Sequence, residues 1–238
     1  MYDIAIIGGT LPSLISSIRL SKNYKICIMD INQEIGFPTN FPGFIKNQKL
    51  LDEFLVEKDK LYIKENHSGF GLRSEWLMKY LTHTAAKNGV DILNRTRVSN
   101  VFYENVFNIE LIGGGPKNQT INSRIIVDET ERIYLPPGDK KHTIVKNHEF
   151  ILSINEEQQE YFVGTIPYSK SYNITNYKLK IDRDDELTEF WFDQKPLTNI
   201  NWIETKKCFS FSNLDNLNID KYIQLSNDIV ELTLKMLT

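Results

Sequence analysis

Residues 2–30 read YDIAIIGGTLPSLISSIRLSKNYKICIMD, and this stretch decides the fold. The apolar run Tyr2–Ile7 predicts a short strand that leads directly into a Gly-Gly pair. Residues Leu11–Leu20 then have helical character, and Tyr24–Met29 is a second β-type run that ends at Asp30. Strand, tight turn, helix and strand in this order predict a βαβ unit, whose crossover is right-handed in almost all proteins.

The turn between this strand and this helix is the place where a Rossmann-type fold binds the pyrophosphate of a dinucleotide. Glycine at its first position permits the tight turn, at the second it lets the pyrophosphate approach the backbone, and at the third it lets the helix pack on the strand. In this chain the three positions hold Gly8, Thr10 and Ser13. The first requirement is met and the third approximately, whereas Thr10 places a β-branched side chain where the phosphates would lie.

Asp30 supports the same interpretation from the other end of the unit. It lies 22 residues after Gly8, and the acidic residue that binds the ribose hydroxyls is expected about 20 residues after the turn. The alternative is that Gly8 and Gly9 form only a strand-to-helix turn and that Asp30 is only a strand-end carboxylate.

Composition limits the other classes of function. The formal net charge is −3 and the pI is about 5.9, so nucleic acid is not the expected partner. The two cysteines, Cys27 and Cys208, lack the spacing of a redox pair or zinc site, and we expect a reduced cytoplasmic setting. No run is apolar and long enough to predict a membrane span. The four histidines have no metal-ligand spacing, and no nucleophile motif is present, so the catalytic residues stay unknown and no metal is predicted.

Four segments, taken in order, resemble the FAD-dependent oxidoreductase superfamily, in particular its geranylgeranyl-reductase and aromatic-hydroxylase group. They are DIAIIGGTLPSLISSIRL followed by ICIMD, EIGFPTNFPGF (Glu34–Phe44), GLRSEWLMKYLTHTAAKNGVDIL (Gly71–Leu93) and INSRIIVDE (Ile121–Glu129). The chain looks like a small and degenerate member of that group. The resemblance covers the first half well and the second half in outline, and it implies FAD as the cofactor, bound weakly or lost.

The resemblance also implies which residues contact the cofactor. Arg73 matches an arginine beside the flavin, although it has an equally good alternative as a partner of Glu75 or of solvent. Asp128 matches the aspartate after a buried strand, but Glu129 replaces the glycine that follows it. Asn213 stands where the group has the aspartate of a Gly-Asp pair. The predicted cofactor-binding set is therefore Gly8, Gly9, Thr10, Pro12, Ser13, Asp30, Arg73, Val98, Asp128 and Asn213.

The second half is rich in alternating β-type runs. Those at 150–154, 161–166, 177–181 and 187–192 predict an antiparallel sheet, which is the substrate domain in the resembling group. Its aromatic residues either line a pocket or, as is commoner for alternating positions, form core. The predicted class is α/β: a Rossmann-type FAD/NAD(P)-binding domain (residues 1–147), an antiparallel β substrate-like domain (148–206), and a strand and helix that return to the first domain (207–238).

Two hypotheses about function follow, and whether the chain is an enzyme stays open between them. The first is an FAD-binding oxidoreductase or monooxygenase that acts on a small apolar or aromatic molecule. The second is a cofactor-free pseudo-enzyme of flavoprotein fold that serves as an interaction partner, either of another protein or of its own copies. The altered positions at Thr10, Glu129, Ser212 and Asn213 favour the second, whereas Gly8, Ser13, Asp30 and Arg73 are still usable for the first. A nicotinamide-binding reductase is a third hypothesis, less suited to the β-rich second half.

Overall fold

The computed structural model describes residues 1–54, 63–135, 138–144, 148–196 and 199–238. The chain forms two compact units, each assembled from separate stretches of sequence. The first unit contains Met1–Pro38, Met78–Asn155 and Tyr222–Thr238, and the second contains Thr39–Leu77 and Glu156–Lys221.

The helices and strands of the described residues have the following bounds. The helices are α1 (Leu11–Leu20), α2 (Ser74–Lys87) and α3 (Ile219–Leu237). The strands are β1 (Tyr2–Ile7), β2 (Ile26–Met29), β3 (Phe44–Ile45), β4 (Lys64–Asn66), β5 (Gly69–Gly71), β6 (Asp91–Leu93), β7 (Thr96–Tyr103), β8 (Phe107–Gly113), β9 (Thr120–Asp128), β10 (Ile151–Ser153), β11 (Gln158–Pro167), β12 (Leu179–Asp182), β13 (Leu187–Phe192) and β14 (Glu204–Phe211).

A seven-stranded mixed sheet forms the centre of the first unit, in the order β6-β2-β1-β9-β8-β7, with β10 pairing beside β9. Strand β1 is an inner strand and pairs in parallel with both β2 and β9, so that Ile6 lies between Ile28 and Val127. The predicted βαβ unit and its parallel pairing are confirmed. Strands β7 and β8 form a hairpin, whose turn holds Asn105 at a positive φ of 69°.

Burial explains why β1 reads as a continuous apolar run. Ile4, Ala5, Ile6 and Ile7 are all fully buried, which requires cover on both faces of the sheet. One face packs in a cluster that contains Ala5, Ile7 and residues of β2, β7, β8 and β9. Helix α1 is buried along its whole length except at Arg19, whose Nη1 donates a hydrogen bond to Ser226 Oγ of α3 at 2.9 Å.

An antiparallel sheet in the order β12-β13-β11-β14 forms the core of the second unit, which also contains the small sheet β3-β5-β4. Its two faces carry separate apolar clusters. One contains Tyr161 and Trp191, whose rings meet edge to face at 5.5 Å, and the other contains Phe162 and Phe192. These aromatic side chains are therefore core residues. The mixture of a mainly parallel sheet with this antiparallel sheet confirms the predicted fold class.

Three local placements differ from the prediction. The run at 150–154 forms β10, which joins the first unit's sheet by parallel pairing with β9 and is not part of the antiparallel sheet. The run at 207–211 lies in β14, which pairs with β11 in the antiparallel sheet and does not return to the parallel one. The acidic run 182–186 around Arg183 predicts a solvated turn, but Arg183 is only 5% exposed and its Nη1 lies 3.7 Å from Glu189 Oε2.

Candidate dinucleotide site

The turn after β1 has the backbone geometry that the glycine pattern predicts. Gly8 adopts a φ of +108°, and its carbonyl oxygen accepts a hydrogen bond from Ser13 Oγ at 2.7 Å. Ser13 is fully buried, so its hydroxyl ties the first turn of α1 to the end of β1. The turn and the small residue at the third position thus work together, as they do in a dinucleotide-binding turn.

Asp30 lies beside this turn but is enclosed by backbone. Its Oδ2 accepts hydrogen bonds from the N–H groups of Gly9 at 2.9 Å and Gly36 at 3.4 Å, and its Oδ1 accepts one from Asn32 N–H at 2.8 Å. The side chain is fully buried. Burial raises the pKa of the Asp30 carboxyl, against the lowering effect of these donors. Both oxygens are therefore engaged within the chain.

Thr10 caps the amino end of α1 and brings a second carboxylate to it. Its Oγ1 accepts a hydrogen bond from Ser13 N–H at 3.2 Å and donates one to Glu129 Oε2 at 2.9 Å. Glu129 Oε1 accepts a hydrogen bond from Arg132 Nη1 at 2.8 Å. Glu129 is 1% exposed, and burial raises the pKa of its carboxyl although Arg132 and Thr10 act to lower it. The two positions that depart from the family pattern, Thr10 and Glu129, are thus hydrogen-bonded to each other.

The remaining donors at this helix end are few. Pro12 occupies the first turn of α1 and has no N–H. The N–H of Ser13 is taken by Thr10, and the N–H of Gly9 is taken by Asp30. Asp128, at the end of β9, accepts two hydrogen bonds from Thr130, through its N–H at 3.0 Å and its Oγ1 at 2.7 Å. The N–H groups of Gly9 and Ser13 and the carboxylate of Asp128 are thus engaged by other residues of the site.

Val98 of β7 is also engaged within the chain. Its N–H donates a hydrogen bond to His142 Nδ1 at 3.0 Å, and its carbonyl oxygen accepts one from Thr143 N–H at 3.0 Å. Val98 itself is fully buried. Both polar groups of this predicted contact residue are therefore satisfied by the segment at 138–144.

Arg73 and Asn213, the other predicted contact residues, lie in the second unit. Arg73 is exposed, and its Nε lies 3.5 Å from Glu75 Oε2, which is the ion pair that the sequence leaves open as an alternative. Asn213 is exposed, and its Oδ1 accepts a hydrogen bond from Asp215 N–H at 2.9 Å. Contact of either residue with a cofactor stays a prediction.

Buried charges in the second unit are paired with each other. Lys206 Nζ donates hydrogen bonds to the Thr39 carbonyl and hydroxyl oxygens, both at 3.0 Å, and lies 3.7 Å from Glu75 Oε1. Burial acts to raise the pKa of Glu75, but the positive charges of Lys206, Arg183 and Arg73 and a backbone hydrogen bond together more than offset it, so the pKa is lowered. Glu189 accepts a hydrogen bond from Trp191 Nε1 at 2.6 Å, and burial raises its pKa. These buried charges are therefore compensated by neighbouring groups within the unit.

The described residues lack two further kinds of feature, a metal-binding cluster and a membrane-spanning helix. No group of three or more His, Cys, Asp or Glu side chains there has an arrangement that would hold a metal ion. None of the helices in the same ranges is both long and apolar enough to cross a membrane.

Comparison with known proteins identifies the fold. No family model matches the chain, and no curated protein is significantly similar to it in sequence. Among solved structures, p-nitrophenol 4-monooxygenase PnpA from Pseudomonas putida DLL-E4 matches with a TM-score of 0.66 at 7% identity, over 100% of this chain and 80% of that one. A geranylgeranyl bacteriochlorophyll reductase-like protein from Thermoplasma acidophilum matches with a TM-score of 0.54 at 13% identity, over 94% of this chain and 60% of that one.

A variant of the halogenase PltM, solved in complex with FAD, matches with a TM-score of 0.59 at 10% identity, over 99% of this chain and 69% of that one. The chain therefore has the fold of the FAD-dependent oxidoreductases, as its sequence resemblance predicts.

The residues of this chain do not fit FAD in the arrangement that the structure shows. A pyrophosphate at the amino end of α1 needs free N–H donors and an uncrowded backbone, but Thr10 is 7% exposed there and holds the Glu129 carboxylate. Asp30 is fully buried, and both of its oxygens already accept backbone hydrogen bonds, so a ribose would have to compete with backbone N–H groups for it. The backbone N–H and carbonyl oxygen of Val98, another predicted contact residue, are both engaged within the chain.

Sequence reasoning missed the partners that close the site. Glu129 is identified in the sequence only as a departure from the pattern, and His142 only as a histidine without metal spacing. One signal was present for Glu129, since two departures in one predicted site raise the question of whether they compensate each other. For His142 no local pattern indicates the contact, because it joins residues that lie 44 positions apart.

Proposed function

We propose that this chain uses the fold of FAD-dependent oxidoreductases without a bound dinucleotide, and that it acts as a binding protein, with another protein or a second copy as its partner. The observation that carries the proposal is the hydrogen bond between Thr10 and Glu129 at the amino end of α1. It means that the chain supplies its own anion where a pyrophosphate would be held.

Electrostatics favour the Glu129 carboxylate in the place of a pyrophosphate. The amino end of a helix attracts an anion, and a carboxylate gains from that position as a phosphate does. A phosphate placed within about 4 Å of the Glu129 carboxylate would be repelled by roughly 4 kcal/mol per charge pair at an effective dielectric constant of about 20. Protonation of Glu129 would relieve the repulsion, and the raised pKa of its carboxyl makes that protonation easier than for an exposed glutamate.

The second candidate is an FAD-binding oxidoreductase that acts on a small apolar or aromatic molecule. It is favoured by the neighbours in the comparison, among them a p-nitrophenol monooxygenase and a halogenase solved with FAD. It is also favoured by the turn itself, because Gly8 keeps the required backbone conformation and Ser13 keeps the close packing of helix and strand. For this candidate Thr10 and Glu129 must separate when FAD binds.

A flavin titration decides between the two candidates. We expect the purified parent protein to show no visible flavin absorbance and to leave FAD fluorescence unchanged. The double variant Thr10→Gly/Glu129→Gln removes both the side chain and the charge, and we expect it to bind FAD measurably. Visible flavin bands in the purified parent, or micromolar FAD binding by it, would overturn the proposal and leave the oxidoreductase standing.

Matched variants separate this effect from a general change in charge or stability. Glu131→Gln removes one negative charge from an exposed residue two positions from Glu129. Thr10→Ser keeps the capping hydroxyl. We expect both to behave as the parent does. Circular dichroism of each variant shows whether it retains the parent's secondary structure.

A further inference from the structure

The carboxyl end of helix α2 holds the single Asn-Gly pair of the chain, Asn88-Gly89. The helix ends in a Schellman motif, in which the Val90 N–H donates a hydrogen bond to the Ala85 carbonyl oxygen at 3.1 Å. The Gly89 N–H donates the second bond of the motif, to the Ala86 carbonyl oxygen at 3.0 Å. Gly89 has a φ of +84°, the left-handed conformation that the motif requires. These bonds set the direction in which the chain leaves α2 and enters β6.

The side chain of Asn88 is open to solvent. Asn88 and Gly89 are both exposed, and a Cβ added at Gly89 would have no heavy atom within 4 Å apart from those of the flanking residues. The amide of Asn94, by contrast, donates a hydrogen bond to the Gln33 carbonyl oxygen at 3.0 Å. The Asn88 amide makes no such bond to any residue that the structure describes. Its Cγ is therefore accessible to a nucleophile.

The nucleophile at hand is the backbone nitrogen of Gly89, which has no side chain to hinder it. When this nitrogen bonds to Cγ of Asn88, the Cγ–Nδ2 bond breaks, and the amide nitrogen leaves as ammonia with the proton of the Gly89 N–H. The product is a cyclic imide. Water opens the imide at the Cγ carbonyl to give aspartate, or at the main-chain carbonyl to give isoaspartate, whose backbone runs through Cγ. The reaction consumes one water molecule and needs no oxidant or reductant.

The Schellman motif restrains this reaction. The attacking nitrogen belongs to Gly89, whose N–H is held by the Ala86 carbonyl oxygen, so the last turn of α2 has to open before the ring can close. Helix ends open at a much lower cost in free energy than the core does. The reaction therefore proceeds in the folded chain, but more slowly than in the unfolded chain.

We propose that Asn88 is a site of spontaneous deamidation, which starts from the opened end of α2 and leaves an aspartate or an isoaspartate there. Either product disturbs the helix end. A carboxylate is unfavourable beside the free carbonyl groups of a helix carboxyl terminus, and the additional backbone atom of isoaspartate displaces Gly89 from its place in the motif. The reaction requires neither a dinucleotide nor a partner, so it is independent of the proposed function.

Mass spectrometry of the full-length chain, incubated at mildly alkaline pH and then digested, measures the reaction at each asparagine. We expect Asn88 to gain the mass of an amide-to-acid exchange at least tenfold faster than Asn105. Asn105 is the internal control, because it is also exposed in a turn but is followed by the β-branched Val106. Fragmentation separates Asn88 from Asn94, which lies in the same tryptic peptide. Equal rates at Asn88 and Asn105, or no mass gain at Asn88, would overturn the inference.

Urea tests the restraint by the helix end. We expect denaturing urea to raise the rate at Asn88 at least threefold, because it releases the Gly89 N–H from Ala86. Asn88→Gln is the matched variant, since its longer side chain closes a larger ring far more slowly, and its peptide should show no mass gain over the same time. Circular dichroism shows whether this variant keeps the parent's secondary structure. A rate at Asn88 that urea leaves unchanged, or a mass gain that persists in Asn88→Gln, would contradict the proposal.

Discussion

Gly8 must be glycine for two independent reasons, of which only the first could be predicted from the sequence. Its φ of +108° is a conformation that side chains rarely adopt, and a Cβ there would lie 2.9 Å from the carbonyl carbon and oxygen of Glu129. The first reason follows from the strand-turn-helix pattern. The second depends on a residue 121 positions away, as does the contact of Thr10 with Glu129. Local patterns predict backbone conformation, but they do not predict which distant side chain enters a turn.

Also at the residue scale, the contacts of Asp30 predict that it stabilises the fold, whether or not it binds a ligand. Replacing Asp30 by Ala leaves the buried N–H group of Gly9 and the half-buried N–H group of Asn32 without their acceptor, so we expect a loss of about 1–3 kcal/mol in the free energy of unfolding. Urea denaturation followed by circular dichroism measures it. Asp139→Ala, at an exposed residue, is the control and should change little. Equal urea midpoints for the two variants would show that the three backbone hydrogen bonds of Asp30 contribute nothing to stability.

At the scale of elements, the sequence predicts where strands and helices lie better than it predicts which strands pair in a sheet. The pattern of β1, α1 and β2 also predicts how the two strands pair, because a helix between two buried strands implies a parallel crossover. The run that forms β10 has the same alternating texture as the runs of the antiparallel sheet, yet it pairs in parallel with β9. Period-two alternation indicates a strand with a buried face, but it contains no information about the neighbouring strand.

Helix α1 depends on its cap, and this gives a prediction for the element. Thr10→Ala removes both the hydrogen bond to Ser13 N–H and the donor to Glu129. We expect a loss of about 1–2 kcal/mol in the free energy of unfolding, as for other lost caps, whereas Thr10→Ser should keep most of the stability. Urea denaturation of the three proteins measures the difference. If Thr10→Ala were as stable as the parent, the cap would not be needed to hold α1.

At the scale of the whole molecule, the burial of charged residues was the hardest property to infer from the sequence. The acidic run at 182–186 predicts a solvated turn, and most of it is polar and accessible. Arg183 within it is nevertheless buried, with its Nη1 3.7 Å from Glu189 Oε2. The three tryptophans, Trp76, Trp191 and Trp202, all lie in the second unit. Tryptophan fluorescence therefore reports on that unit, and circular dichroism reports on both.

His142 makes global stability depend on pH. Burial, together with the nearby charge of Arg97, lowers the pKa of its imidazole from 6.5 to about 4. The folded chain therefore keeps the ring neutral between about pH 6.5 and pH 4, whereas the unfolded chain binds a proton there. Since the unfolded state then binds more protons, the free energy of unfolding falls as the pH is lowered through this window and levels off, as far as this group is concerned, below about pH 4. The full shift corresponds to at most about 3 kcal/mol.

Urea denaturation followed by circular dichroism at a series of pH values measures this dependence. We expect His142→Gln, which cannot be protonated in this range, to be less sensitive to pH than the parent between about pH 6.5 and pH 4. His83→Gln, at an exposed position on α2, should follow the parent. Because other groups titrate in the same range, the difference between the two variants isolates the contribution of His142. Parallel curves for His142→Gln and His83→Gln would show that the ring is not held neutral against β7.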